Sequence, residues 1–326
     1  MARLTISLVT FNGASTIEPC VQSICLQSFT DWELVVFDNA STDDTVTRIK
    51  NLVPTATIIQ SESNAGFAFG HNEVIRHSSA PYILILNQDV TLDSDYCKEC
   101  IAAFETGSTI GSVTGMLLRT ESLEDLPKDP VLDGCGLWID QKYFVRLRGE
   151  EDRPSSYQDS CEVFGVPATA AFYRLESLKD SAEGERPPSY FDESFFMYKE
   201  DVDLSYRLAW RGWKSWYCAP ARAHHIRTKR RGLRPSRFVN TLSYRNNLAL
   251  ELKNLSGGIL VRFGGWIFLM ECAKLVYLLF REPHVLASLG RFFCVIPELL
   301  RKRRNIFLKR RAPNTELLYW YSHRER

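Results

Sequence analysis

The sequence, 326 residues long, predicts an α/β fold in which helices flank a mostly parallel central sheet, followed by a helical C-terminal region. From Leu4 onward, short β-rich apolar runs alternate with segments whose apolar residues recur at helical spacing. The run at residues 82–86 is apolar without interruption, as expected for a strand buried on both faces. Strands that alternate with helices imply parallel pairing through right-handed crossovers.

The first ninety residues contain a regular strand–helix alternation. Helices are expected at residues 15–27, from the capping cluster Ser41–Asp44 onward, and at residues 70–78 before Pro81. The strands are expected at residues 4–10, 32–37, 57–60 and 82–86.

The middle of the chain gives weaker signals. We expect an amphipathic helix at residues 96–105, a strand at 112–118, a buried segment at 163–173 and an exposed loop at 180–189. A helix over 204–210 ends at Gly212, and a strand over 213–218 follows it.

The C-terminal region has helix candidates at residues 242–255, 259–280 and 285–300. The second is long enough to cross a bilayer. However, Arg262, Glu271 and Lys274 interrupt it, and a charged group near the bilayer centre costs about 2.5–3.5 kcal/mol. We therefore expect a helix that lies in the membrane interface.

Charge is divided between the two parts of the chain. Hydrophobic residues make up 45% and charged residues 24%, which excludes general disorder. Residues 1–221 carry 18 basic and 33 acidic side chains, and residues 222–326 carry 22 basic and 6 acidic ones. Basic clusters at 301–304 and 309–311 favour an anionic membrane surface as partner. A packed helical subdomain with a solvated basic face is the alternative, and no nucleic-acid-binding motif accompanies the charge.

The cysteines and the N-terminus indicate a reducing compartment. The apolar run at residues 4–9 is too short for a signal peptide, so we expect no secretion. Nine cysteines at irregular spacing indicate reduced thiols. Cys97 and Cys100 form a CxxC pair without a second pair, so we expect a structural role for them.

Polar side chains follow three of the predicted strands, where the carboxyl ends of parallel strands form ligand sites. The first strand ends in Thr10-Phe11-Asn12, the second in Asp38-Asn39, and the buried strand in Asn87-Gln88-Asp89. Asp38 can accept hydrogen bonds from a nucleobase or ribose. An Asx turn that caps the next helix is the alternative interpretation, above all for Asn39 and Ser41.

Two further motifs carry chemistry. Gly66 and Gly70 open a helix, so the backbone can approach a ligand closely, although the spacing matches neither a dinucleotide-binding nor a P-loop motif. Glu200, Asp201 and Asp203 place three carboxylates beside an aromatic cluster, where like charges and apolar neighbours raise a pKa toward that of a general base.

Together, in this order, the motifs resemble family 2 of the inverting, nucleotide-sugar-dependent glycosyltransferases, and within it the rhamnosyltransferase-like branch that builds bacterial surface polysaccharides. The resemblance covers residues 4 to about 225 and implies the GT-A fold, a Rossmann-like arrangement. The matching stretches are residues 7–12, 36–43, 64–72, 86–89 and 196–204.

The resemblance implies a role for each motif. Asp201 is the expected catalytic base, with Glu200 as second choice, while Asp203 is expected to cap the helix or to pair with Arg207. Asp89, which stands alone where most relatives have two acids, and His225 are expected to bind Mg²⁺ or Mn²⁺, with His224 in reserve. Arg245-Asn246-Asn247 also recurs in this branch, with diphosphate contact as a conceivable role. The residues expected to bind the nucleotide sugar are Thr10, Asn12, Asp38, Asn39, Gly66, Phe67, Asn72, Asn87 and Gln88, and those expected to bind the acceptor are Gly165, Ala168, Thr169 and Trp213.

The resemblance further implies a GT-A domain at residues 1–225, with a nucleotide-sugar half to about residue 100 and an acceptor half after it, and a basic helical region at 226–326. The expected reaction is inverting, metal-dependent transfer of L-rhamnose from dTDP-rhamnose to a lipid-linked or polysaccharide acceptor, by a cytoplasmic protein peripheral on the inner face of the plasma membrane. A UDP-hexose donor is the alternative within this class. Outside this class, the sequence is also compatible with a nucleotidyltransferase or with a non-enzymatic protein that binds membranes or nucleic acid.

Overall fold

A computed structural model describes residues 2–123, 125–140, 142–184, 187–227 and 236–322. Its centre is a ten-stranded mixed sheet, with a separate two-stranded hairpin beside it. The strands are β1 (Leu4–Thr10), β2 (Trp32–Asp38), β3 (Thr57–Gln60), β4 (Tyr82–Asn87), β5 (Val90–Leu92), β6 (Ile110–Thr120), β7 (Leu132–Gly134), β8 (Leu137–Ile139), β9 (Val145–Leu147), β10 (Cys161–Val163), β11 (Ala170–Arg174) and β12 (Lys214–Ile226).

Helices cover both faces of the sheet and form the C-terminal region. Short 3₁₀ turns occur at Pro154–Ser156 and Glu193–Phe195. The helices are α1 (Ile17–Cys25), α2 (Thr45–Leu52), α3 (Phe67–His77), α4 (Tyr96–Glu105), α5 (Leu175–Ser181), α6 (Glu200–Trp210), α7 (Arg237–Asn254), α8 (Gly257–Arg281), α9 (Pro283–Ala287), α10 (Leu289–Leu308) and α11 (Asn314–Ser322).

The N-terminal part of the sheet is parallel, as the sequence predicts. Strands β3, β2, β1 and β4 lie side by side in that order, and Leu4 of β1 stands opposite Trp32 of β2 and Tyr82 of β4. Because the strands start in register, Thr10 and Asp38 end level with each other, with Asn87 opposite Val9.

Beyond β4 the sheet changes direction. β11 runs antiparallel between β4 and β6, and β12 then pairs parallel to β6 on both sides of an irregularity between Cys218 and Arg222. The segment expected to be buried at 163–173 includes the end of β10 and most of β11. Residues 164–169, with Pro167, connect these two strands. The strand expected at 213–218 continues to Ile226, since residues 222–226 pair with the second half of β6.

Apolar side chains form a core on each face of the sheet. Helices α1 and α4 pack on one face, while α3, α5 and α6 pack on the other. Cys97 and Cys100 are buried in the first core, and all nine cysteines are free thiols. Their environment agrees with the structural role expected for them.

The C-terminal helices pack against α6 and the β8–β9 hairpin. Trp210 and Tyr206 of α6 lie in one apolar cluster with residues of α7, α8, α10 and α11. Part of the basic run that precedes α7, residues 228–235, lies outside the described residues. The division into domains at residue 225 stays a prediction.

Helix α8 turns Glu271 and Lys274 toward the protein and leaves many of its apolar side chains exposed. Lys274 Nζ lies 3.7 Å from the centre of the Phe144 ring, and Lys274 also pairs with Glu271. Val261, Phe268 and Phe280 are 91%, 72% and 78% exposed. Within the described ranges, α8 alone is long and apolar enough to cross a membrane, judged by length and composition.

Candidate active site

The exits of β1 and β2 are joined by hydrogen bonds at one edge of the sheet. Thr10 Oγ1 donates to Asp38 Oδ1 at 3.1 Å, and the Asp38 Oδ2 atom accepts from the Ser41 backbone N–H at 3.2 Å. Asp38 is buried. Its hydrogen bond to the Ser41 N–H makes the Asx-type turn that the sequence suggested for the neighbouring residues Asn39 and Ser41. Asn39 instead accepts from the Ala65 N–H at 3.0 Å.

Asn12 ties the same two loops together on the exposed side. Its backbone, in the left-handed region at φ 46°, donates to Ser41 Oγ at 2.9 Å, and its side-chain oxygen accepts from the Thr42 N–H at 2.9 Å. The predicted nucleotide-binding residues Thr10, Asn12, Asp38 and Asn39 thus form one connected edge, and their contact with a nucleotide stays a prediction.

The Asn87-Gln88-Asp89 turn packs against the exit of β1. Gln88 exchanges two hydrogen bonds with the Phe11 backbone, at 3.1 and 3.2 Å. A Cβ atom on Gly13 would lie 2.3 Å from Gln88 Oε1, so the Gln88 side chain packs directly against the Gly13 backbone. The Asn87 N–H donates to the Thr169 carbonyl at 3.0 Å, which joins this turn to the predicted acceptor segment.

His225 lies between two carboxylates. Its Nε2 atom is 3.6 Å from Asp89 Oδ1, and its Nδ1 atom is 2.8 Å from Asp133 Oδ2. Pairing of β12 with β5 and β6 brings His225 beside both acids. Burial lowers the pKa of His225, but the two carboxylates outweigh it and raise that pKa to about 9.

This arrangement fits a divalent cation. A histidine that offers one ring nitrogen to a metal usually has its other nitrogen held by a carboxylate, as Asp133 holds Nδ1 here. Nε2 and the partly exposed Asp89 carboxylate then face the same position. His224, one residue earlier on the strand, faces Asp93 at 3.3 Å instead. Sequence reasoning missed Asp133, because its role depends on strand pairing alone.

A second group of carboxylates is already neutralised. Ligand oxygens of Glu183, Asp192 and Asp203 lie within 4.8 Å of one another. Lys253 Nζ lies among them at 2.8, 2.6 and 3.0 Å. An ammonium group therefore holds the position that a cation would take. The expectation that the loop at 180–189 is exposed is corrected in part, since Glu183 points inward to Lys253.

The Gly66 motif lies between the nucleotide edge and the segment before α6. Gly66 has φ +91°, and a Cβ atom there would lie 2.5 Å from the Phe196 ring. The Ala68 N–H donates to the Phe196 carbonyl at 3.2 Å, and the Phe67 ring packs 4.3 Å from that of His71.

Asn72, from the same motif, is buried within the protein. Its amide donates to the Phe191 carbonyl at 2.8 Å and to Glu193 Oε1 at 2.9 Å, and its oxygen accepts from the Tyr190 and Phe191 N–H groups. All of these groups belong to the chain itself, so Asn72 holds residues 190–193 in place. This geometry does not favour the predicted nucleotide contact.

The three carboxylates at the start of α6 have different environments. Asp201 is partly buried, and its two oxygens accept from the Ala168 N–H at 3.3 Å and the Val202 N–H at 2.8 Å. Glu200 is buried, and its Oε2 atom has no hydrogen-bond partner in the described part of the chain. Asp203 pairs with Arg207 at 2.8 Å, as the sequence suggested.

Burial raises the pKa of both candidate bases. It raises the pKa of Glu200 to about 8, with a further contribution from the Asp201 charge. It also raises the pKa of Asp201, although Lys199 and backbone N–H groups act in the opposite direction. Near neutral pH, Glu200 is therefore mostly protonated, and only a small fraction of it is ionised and able to accept a proton. Asp201 has the more suitable geometry and exposure for a base.

The predicted acceptor residues divide into two groups. Ala168 and Thr169 precede β11 at the edge that contains Asn87. Gly165 packs against α6, since a Cβ atom on it would lie 2.1 Å from Ser205 Oγ. Trp213 lies at the other end of β12, where its Nε1 donates to Asp180 at 2.9 Å. Lys214 pairs with Ile110 of β6 and His225 with Arg119, so the two ends of β12 lie about 30 Å apart at about 3.3 Å per residue. This position does not support the expectation that Trp213 binds the acceptor.

Comparison with known proteins agrees with this geometry. Residues 5–177 match the family described as Glycosyl transferase family 2. A putative teichuronic acid biosynthesis glycosyltransferase, TuaG, from Bacillus subtilis is 25% identical over 128 residues, which cover 38% of this chain and 51% of that protein. A poly-beta-1,6-N-acetyl-D-glucosamine synthase from Staphylococcus epidermidis is 26% identical over 110 residues, covering 33% and 27%. The chain thus spans about half or less of these relatives.

Solved structures share the fold. GalNAc-T7, crystallised with UDP, GalNAc and Mn²⁺, superimposes with a TM-score of 0.60 at 13% identity, over 78% of this chain and 48% of that one. Residues 1–349 of TarS from S. aureus in complex with UDP give a TM-score of 0.51 at 15% identity, over 78% and 66%. The expected α/β class and GT-A fold are confirmed.

Proposed function

The chain belongs to glycosyl transferase family 2, and we propose that it transfers a sugar from a nucleotide donor to an acceptor hydroxyl, with inversion at the anomeric carbon. One observation carries the proposal. The Asp201 carboxylate is held by the Ala168 N–H beside the strand ends that bear Asn87 and Asp89. A proton acceptor and the predicted donor-binding edge therefore share one side of the sheet.

In this mechanism Asp201 accepts the proton of the acceptor hydroxyl as that oxygen bonds to the anomeric carbon. The bond from the anomeric carbon to the diphosphate oxygen breaks, and the nucleoside diphosphate leaves with that electron pair. The two N–H groups that bind Asp201 fix the orientation of its carboxylate. General base catalysis of this kind contributes roughly 10²–10⁴-fold.

Asp89 and His225 would hold the divalent cation, Mg²⁺ or Mn²⁺, and Asp133 would keep the imidazole oriented. When bound, the cation supplies positive charge that stabilises the leaving diphosphate. A single protein carboxylate is sufficient where the substrate phosphates complete the coordination.

The most specific part of the proposal is the identity of the sugar donor. L-rhamnose from dTDP-rhamnose follows from the branch that the motifs resemble. The structural neighbours solved with UDP favour the alternative, a UDP-linked hexose. The names of the curated relatives favour an acceptor in cell-surface glycan synthesis, either lipid-linked or polysaccharide.

We place the protein on the inner face of the plasma membrane through the exposed apolar side of α8. Exposed Arg262 and Arg281 bracket an apolar stretch of about 27 Å at 1.5 Å per residue. Exposed Arg304, Lys309 and Arg310 add positive charge at the end of α10 and beyond it. Such a surface fits the anionic headgroups of a bilayer that carries a lipid-linked acceptor.

A donor screen tests the activity. Purified protein is incubated with dTDP- and UDP-sugars and lipid-linked acceptors, with Mg²⁺ or Mn²⁺ or with a chelator, and free nucleoside diphosphate is measured. Asp201→Asn is expected to lower turnover at least 100-fold, while the exposed control Asp159→Asn should retain it. Full activity of Asp201→Asn would exclude this mechanism. Release of pyrophosphate would instead establish a nucleotidyltransferase.

Vesicle sedimentation tests the membrane surface. The protein should bind phosphatidylglycerol vesicles more tightly than phosphatidylcholine vesicles, and less tightly at high salt. The double substitution Phe268→Ser and Phe280→Ser should weaken binding at least 10-fold, whereas Leu26→Ser, equally exposed at the end of α1, should not. Unchanged binding of the double variant would refute α8 as the docking surface.

A further inference from the structure

A single side chain of α7 binds the segment that leads into the acidic triplet. Asn246 is buried. Its Nδ2 atom lies 2.9 Å from the Phe195 carbonyl, 3.0 Å from that of Met197 and 2.9 Å from that of Tyr198. Its donors are thus taken up by this segment, which corrects the suggested diphosphate contact for this residue.

The bound segment has an unfavourable backbone. Phe196, Tyr198 and Lys199 all have positive φ, at 62°, 67° and 73°, and none of them is glycine. Each such residue costs on the order of 1–3 kcal/mol and persists only where the surrounding structure enforces it. The carbonyls that Asn246 binds lie within this strained turn, and Glu200 and Asp201 follow it directly.

The same face of α7 also holds the far side of the segment. Lys253, seven residues after Asn246, contacts Asp192 and Asp203, and the Asn254 amide donates to Asp203 Oδ1 at 2.8 Å. Residues 192–203 are therefore fixed to α7 at both ends and in the middle. The family match ends at residue 177, before this segment and before α7.

We propose that Asn246 is a positioning residue for Asp201: it enforces the strained turn at residues 196–199 and thereby sets where the base lies relative to the donor edge. The inference rests on the proposed function. It makes α7 part of the catalytic unit, although α7 contributes no group to the chemistry. A small displacement of a base is enough to cost about 100-fold in rate.

The experiment compares substitutions of Asn246 and Asn240 in the full chain, with the donor and acceptor that the screen identifies. Asn246→Ala removes the side-chain hydrogen bonds, and Asn246→Asp keeps the shape but loses the amide donors. Asn240, on the same helix and with its amide bound to Glu282 at 2.7 Å, supplies matched controls. Turnover, KM for the donor, binding of UDP with Mn²⁺ and thermal stability are measured for each variant.

Both Asn246 variants are expected to lower kcat at least 10-fold while KM and UDP binding stay within about threefold. Both Asn240 variants should stay close to the wild type. If Asn246→Ala does not fold, Asn246→Ser, which keeps one donor, is used with the same expectation. Wild-type kcat in Asn246→Asp, or an equal rise in KM and UDP dissociation, would overturn the inference. A wild type inactive with every donor would instead refute the proposed function.

Discussion

The buried ammonium of Lys253 allows a quantitative test of how the C-terminal helices are attached. Lys253 is 0% exposed and contacts Asp192, Asp203 and Glu183, which all lie before α7 in the chain. The perturbation is Lys253→Met, which keeps the length of the side chain and removes its charge. Arg207 and Lys302 remain as cations beside the three carboxylates.

The expected loss follows from the unpaired charge. In the wild type, three cations face three carboxylates, and the variant leaves one buried negative charge without a partner. Removing one member of a buried ion pair costs about 3–5 kcal/mol. With an unfolding entropy of about 2.1 cal/mol/K per residue, this lowers Tm by roughly 4–7 °C for a chain of this size.

Thermal unfolding by circular dichroism measures the effect, with Lys214→Met as the surface control. Lys214 pairs with Glu162 at 2.8 Å, but its side chain is half exposed, so its loss should cost less than about 1 kcal/mol. A Tm of Lys253→Met within 1 °C of the wild type would refute the reasoning. An equal loss in Lys214→Met would refute it as well.

The pH dependence supplies an independent check. Although burial opposes the charged form, Lys253 and Lys302 lower the pKa of Asp192, and Lys253 and Arg207 lower that of Asp203. A depressed carboxyl pKa contributes stability above the unfolded pKa, near 4, and this contribution disappears as the pH falls through the folded pKa. The deficit of Lys253→Met should therefore shrink as the pH falls below about 4.

Three further outcomes follow from single contacts. Because the pKa of buried Glu200 is raised to about 8, the folded state retains a proton that the unfolded state loses above about pH 4.5. Glu200→Gln should therefore have a higher Tm than the wild type, and the gain should be larger at pH 9 than at pH 5. A Tm difference that is the same at both pH values would contradict this. Gly66→Ala forces a Cβ atom against Phe196 at positive φ, so it should lower stability by at least about 1 kcal/mol in urea unfolding, whereas an unchanged midpoint would mean that the turn relaxes. Asp133→Asn frees the ring of His225 and should weaken Mn²⁺ binding, measured by calorimetry, about 10–100-fold; unchanged affinity would remove Asp133 from the metal site.

Local sequence patterns predicted the elements of the first ninety residues correctly, whereas the short strands β5, β7, β8 and β9 were not predicted. Apolar runs and helical spacing placed β1, β3 and α4 at the observed residues. The signal is clear for β1 and α4 because both bury apolar side chains in the core. The exits of β1, β2 and β4 were assigned to one edge by the rule for parallel strands, and the register of these strands agrees. Glu200 and Asp201 could be named as candidate bases since they are adjacent in the chain.

Further site features could not be read from the sequence, because they depend on partners far away in the chain. Asp133 meets His225 across 92 residues, and Asn246 meets the turn at residues 195–198 from about 50 residues away. Trp213 was expected on the acceptor side, but an aromatic residue beside a strand gives no sign of which end of the sheet it occupies. Periodicity specified the apolar side of α8, but only packing decided that this side faces outward.

The sequence by itself thus determined the α/β class, the parallel pairing of the first strands and the residue types that carry chemistry. Short-range patterns suffice for these features, since burial of one face dictates each element. The tertiary structure decided which histidine faces Asp89, which carboxylate stays protonated and which helix holds the base. Those choices depend on burial and on long-range pairing, and neither is encoded in any local stretch of the chain.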